Sequence, residues 1–132
     1  MNFSKTTSYS LSVLSYMAVH NEKSLSSEEL HKKLDIPYQY LRQLLTTLSK
    51  FGFIKSVRGR NGGFIFNMKL EQITLANIID ATEGLDNYNK CFLGLKECPF
   101  DNVCSMHDIW QSTRENMLRI FNETTLADLV RN

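Results

Sequence analysis

Residues 36–66, IPYQYLRQLLTTLSKFGFIKSVRGRNGGFIF, carry the pattern on which the fold turns. Tyr40, Leu41, Leu44, Leu45 and Leu48 recur at spacings of three and four, the period of one helical face. Asp35 and Pro37 fit a turn and a helix start, and Gly52 fits its end. Residues 53–57 and 64–66 have strand-like composition. Gly59, Gly62 and Gly63 lie between them and are expected to supply the positive φ of a tight hairpin tip. From Ile36 to Leu70 the chain has six basic residues (Arg42, Lys50, Lys55, Arg58, Arg60, Lys69) and no Asp or Glu. The whole chain is formally +1, so the remainder is net −5. A helix leading into a basic hairpin, with the positive charge concentrated there, predicts a winged helix-turn-helix whose anionic partner is a nucleic acid backbone.

Working outward, Ser4 caps a first helix to about His20, with Leu11, Val13, Leu14, Met17 and Ala18 as its apolar stripe. Residues 21–25 read as a polar connection. Ser26 with Glu29 forms a capping box for a second helix over residues 27–34, with Leu30 and Leu34 inward. Downstream, Thr74 caps a fourth helix through Leu75, Ile78, Ile79 and Ala81, closed by Gly84. Residues 85–104 read as a loop, and a last long helix runs from about Ser105 to Phe121. Ile109, Trp110, Thr113, Met117, Ile120 and Phe121 make an apolar side on that helix with no evident partner in the chain, so it is assigned to dimerisation. A two-fold dimer also matches palindromic duplex sites. The expected architecture is mainly α with a small two-stranded β-hairpin. It divides into a winged helix-turn-helix (1–84), a cysteine segment (85–104) and a dimerisation helix with its tail (105–132).

Composition sets bounds on this reading. With 42% hydrophobic and 22% charged residues in 132, the chain is one small globular unit. No stretch approaches the ~20 apolar residues of a membrane span, and LSVLSYMAV reads as a core helix and not a leader, so the expected location is the cytoplasm. No P-loop, GxSxG or HExxH is present, which argues against an enzyme.

Cys91, Cys98 and Cys104 are separated by six and five residues, and His107 follows three beyond the last. Three cysteines in a reducing compartment do not suggest a disulfide framework. Thiolates are soft ligands suited to iron–sulfur clusters or zinc, and an imidazole can replace one of them. The plain alternative is unrelated cysteines buried as small hydrophobes. Their clustering in one segment outside every predicted core helix weighs against it.

The run IPYQYLRQLLTTLSKFGFIKSVRGRNGGF, the three-cysteine segment and the terminal TTLADLV together resemble the Rrf-type winged-helix regulators, which include the IscR-like and NsrR-like branches. The resemblance covers nearly the whole chain. It implies a homodimeric DNA-binding transcription factor, often a repressor, binding a palindromic operator with an affinity that depends on an iron–sulfur cluster, 2Fe-2S or 4Fe-4S. By position, Cys91, Cys98 and Cys104 match the cluster thiolates, and His107 matches the fourth ligand of the IscR-like branch. The acidic ligand of the NsrR-like branch falls at Ser8, and the first twenty-one residues contain no Asp or Glu, which favours His107. The first cysteine spacing is one residue longer than the IscR pattern. For DNA contact the resemblance and the helix face point to Gln39, Tyr40, Arg42 and Gln43, with Lys55, Arg58 and Arg60 on the wing. The IscR-like branch has Glu where this chain has Arg42, so a different base preference is expected. A thiol redox switch without a cluster, or a zinc-stabilised interaction module, are the alternatives.

Overall fold

The computed structural model describes residues 3–60, 62–88 and 105–130. Helix α1 (Lys5–Val19) starts at Ser4, whose hydroxyl accepts the Thr7 N–H at 3.1 Å. Helix α2 (Ser27–Leu34) carries the expected capping box, Ser26 with Glu29. Asp35 ends α2 in the left-handed region at φ 54°, and Nδ1 of His31 meets the Ile36 carbonyl at 2.6 Å. This tight corner delivers the chain to α3 (Tyr38–Lys50), which buries Leu41, Leu44, Leu45 and Leu48 against α1 and α2. At the end of α3, Phe53 N–H donates to the Leu48 carbonyl at 3.2 Å, a closure that needs the left-handed Gly52 at φ 85°.

The hairpin pairs β1 (Ile54–Val57) with β2 (Gly63–Phe66) in antiparallel register, Ile54 opposite Phe66 and Val57 opposite Gly63. Positive φ is found at Gly59 and Gly63 and not at Gly62, which corrects the expectation for the tip. Space is what Gly62 supplies, because a Cβ there would lie 2.5 Å from the Val57 carbonyl oxygen. Leu25 also departs from its reading as part of a polar connection. It is buried and exchanges two backbone hydrogen bonds with Phe64, at 3.1 and 2.8 Å, so it acts as a third strand at the base of the wing. The same approach explains Gly63, whose Cβ would meet the Leu25 carbonyl at 2.5 Å.

A 3-10 turn at Leu70–Gln72 leads to α4 (Leu75–Thr82), capped by Thr74 with Asn77 as a second capping box. Leu85–Tyr88 forms another 3-10 turn, so the segment expected to be loop from residue 85 begins with a helical turn. Helix α5 (Ser105–Glu123) packs along α4, and α6 (Leu126–Val130) returns to α1. Leu126 is fully buried, and its N–H donates to the Ile73 carbonyl at 2.9 Å. The TTLADLV tail thus completes the core built by Val13, Leu14, Leu30, Ile36 and the α3 leucines. Each such fully buried leucine contributes about 1.5–3 kcal/mol relative to exposure. Among the described residues, no helix is long and apolar enough to cross a membrane.

Candidate nucleic-acid interface and cysteine segment

Opposite its leucines, α3 presents Tyr38, Gln39, Arg42, Gln43, Thr46 and Lys50, all exposed. Gln39, Arg42 and Gln43 therefore share an exposed face near the helix start. Tyr40 is placed differently. It is half-buried, its hydroxyl meets Thr6 Oγ1 at 2.6 Å, and its ring stands edge-on to Tyr9 with centroids 5.4 Å apart. Its polar end is engaged within the domain, which makes Tyr40 a residue that seats α3.

Tyr38 and Thr46 join this face, which the spacing 38, 42, 46 marks in the sequence. The Arg42 guanidinium lies 5.9 Å from the Tyr38 ring centroid. Tyr38 is itself held by an edge-on contact with His31 at 5.5 Å and by its hydroxyl, 3.3 Å from Ser27 Oγ. A cation over an aromatic face is restrained without being neutralised. Arg42 is thus a charged group with a preferred direction.

Lys55, Arg58 and Arg60 are exposed on the wing, where only Ile54 of β1 is buried. Asn61 at the tip lies outside the described residues. None of Arg42, Lys50, Lys55, Arg58, Arg60 and Lys69 forms an ion pair among the described residues; the Lys32–Glu28 pair sits apart on α2 at 3.5 Å. Unpaired cations on two adjoining elements generate a positive potential suited to a polyanion.

The expected apolar side of α5 resolves into two faces. Trp110, Met117 and Phe121 form one half-buried stripe, and the Phe121 ring lies 6.0 Å from that of Phe3. Phe121, on the side expected to lack a partner in the chain, thus meets Phe3. Ile109, Thr113 and Ile120 point away about 100° round the helix, with Ile109 61% and Ile120 47% exposed.

Cys91, Cys98 and Cys104 lie outside the described residues, as does the side chain of His107 in the first turn of α5. Among the described residues no three metal-ligating side chains gather. As a donor set, three thiolates and an imidazole fit an iron–sulfur cluster or zinc by their softness.

The sequence model of Rrf2, described as an iron-dependent transcriptional regulator, matches residues 3–132. The chain is 30% identical over 132 residues to protein rrf2 of Nitratidesulfovibrio vulgaris, covering 99% of this chain and 88% of that protein. It is 28% identical to the regulator NsrR of Bacillus subtilis, over 100% of this chain and 92% of NsrR. The fold is similar to that of CymR, the global cysteine regulator of B. subtilis, with TM-score 0.80 and 25% identity over 98% and 96% of the two chains. These relatives are transcriptional regulators and not enzymes. A helix-turn-helix with an exposed basic face, matched by the family from end to end, places this chain in the Rrf2 family of transcriptional regulators.

Proposed function

We propose that this regulator is a homodimer that binds a palindromic DNA operator, acts as a repressor, and has its DNA affinity set by an iron–sulfur cluster on Cys91, Cys98, Cys104 and His107. The single observation that carries DNA contact is the uncompensated cation surface of α3 and the wing. Gln39, Arg42 and Gln43 enter the major groove, where Arg42 prefers guanine O6 and N7. Lys55, Arg58 and Arg60 follow phosphates or the narrow minor groove alongside. The second copy docks on Ile109, Thr113 and Ile120 of α5, the apolar stripe that the chain itself leaves exposed. The family's iron-dependent description supports the cluster, as does the soft donor set. When bound, a cluster supplies chemistry sensitive to redox state, nitric oxide or iron supply. The residues 85–104 join α4 to α5, so a change there acts at the root of the dimer helix.

The test is purification without oxygen, with iron and sulfide analysis, followed by duplex binding of the loaded and stripped forms at two salt concentrations. A colourless, iron-free protein after anaerobic reconstitution would remove the cluster from the account. A second reading keeps the same cysteines as a thiol redox switch, and the likeness to the cysteine regulator CymR favours it. Thiol titration before and after peroxide, with metal content measured in parallel, separates the two.

A further inference from the structure

The start of α1 is gripped from two sides by hydrogen bonds that lead to different parts of the molecule. On one side, Ser4 N–H donates to Glu83 Oε1 at 3.1 Å. Ser4 Oγ donates to Thr7 Oγ1 at 3.0 Å, Thr7 Oγ1 meets Thr82 Oγ1 at 2.6 Å, and Thr82 Oγ1 donates to the Ile78 carbonyl at 2.9 Å. Taken in that order, each hydroxyl donates once, an arrangement in which neighbouring bonds reinforce one another. Thr82 and Glu83 stand at the end of α4, just before the segment that carries the cysteines. On the other side, Thr6 Oγ1 meets the Tyr40 hydroxyl at 2.6 Å, and the Tyr9 ring supports Tyr40 edge-on. Tyr40 belongs to the same helical turn as Gln39, Arg42 and Gln43.

A further feature marks this seam. Ser10, one turn beyond Thr6 and Thr7, is fully buried, and its hydroxyl has no hydrogen-bond partner. By helical geometry it falls between the directions of Thr6 and Thr7, hence between the two grips. Buried hydroxyls are almost always satisfied, and an orphan in a polar seam calls for an explanation.

We propose that the first two turns of α1 couple the cysteine segment to the recognition helix, with Thr7–Thr82 and Thr6–Tyr40 as the two grips. A change at the foot of the cysteine segment pulls on Thr82 and Glu83, α1 reseats, and Tyr40 carries α3 with it. Thr7 and Tyr40 act here as positioning residues. The inference rests on the proposed reading that the cysteines govern DNA affinity.

The test is a double-mutant cycle on the full chain, purified without oxygen. The probe is a duplex selected by the wild-type protein from a random-sequence pool, and the readout is its dissociation constant by fluorescence anisotropy. Four proteins are compared: wild type, the triple variant Cys91→Ser, Cys98→Ser, Cys104→Ser, a seam variant, and their combination. Thr7→Val and Tyr40→Phe serve as independent seam variants, each nearly isosteric and each checked for folding by circular dichroism. Removing the cysteines should change wild-type affinity on the order of tenfold, and by less than about threefold in either seam background. An unchanged cysteine effect in both seam backgrounds would overturn the coupling, even if both variants weakened binding uniformly. A wild-type affinity indifferent to the cysteines would instead sink the proposed cysteine control, and the coupling with it.

Discussion

Helices α3 and α5 are both amphipathic, yet only α3 commits its whole apolar face to its own chain. Its four leucines are buried beneath a polar face that has one side to offer, and that side is basic. Along α5, the half-buried Trp110, Met117 and Phe121 and the exposed isoleucines are separate stripes. Amphipathic spacing announces that a face avoids water. It does not say whether the cover comes from the same chain or another.

The comparison breaks first at the core. Leu48→Ala, deep under α3, should cost about 2–5 kcal/mol in denaturant unfolding, because the packed surroundings cannot close over the lost volume. A cost below about 1 kcal/mol would mean that α3 is not anchored as described. On α5, Ile109→Asp with Ile120→Asp should leave the far-ultraviolet helix signal in place while sedimentation shifts from dimer to monomer. Duplex affinity should then fall at least tenfold, since half the phosphate and base contacts are lost. If the doubly substituted protein sediments as the wild type does, the exposed stripe is not the dimer contact.

Smaller effects sharpen the contrast. Arg42→Ala should weaken binding by roughly 5–150-fold on the preferred duplex and flatten the base preference at one position, corresponding to ~1–3 kcal/mol. Arg58→Ala should act alike on all sequences and reduce the salt slope by about one. Should the two variants behave the same way, the division between a reading helix and a phosphate-following wing is wrong. At the low end, Ser10→Ala removes an unsatisfied buried hydroxyl and should raise unfolding stability by up to about 1 kcal/mol. A loss of stability there would show that the hydroxyl has a role in the ground state.

Much of this architecture is legible in the sequence. The capping box at Ser26, the cap at Thr74, the α3 stripe and the hairpin are local features, set within a few residues by backbone donors, helical period and turn chemistry. Leu25 is not legible in this way, because its pairing partner, Phe64, lies far along the chain, and nothing local distinguishes a one-residue strand from a loop. The sequence groups Tyr40 with its neighbours on α3, since the hydroxyl at Thr6 that turns it to a seating role comes from another helix. Spacing likewise merged Ile109 with Trp110 and Phe121, because a 100° turn between consecutive residues hardly separates two adjoining stripes.

Sequence alone settles that α1 to α5 are helices, near which residues they start and stop, and where positive charge accumulates, because those follow from interactions spanning at most one or two turns; the short helix α6 and the two 3-10 turns escape it. Tertiary structure alone decided which face meets which neighbour: that the tail returns to the core through Leu126, that Leu25 braces the wing, and that α1 bridges α4 and α3. Such pairings depend on side chains brought together from opposite ends of the chain, and only the packed core holds them at hydrogen-bonding distance.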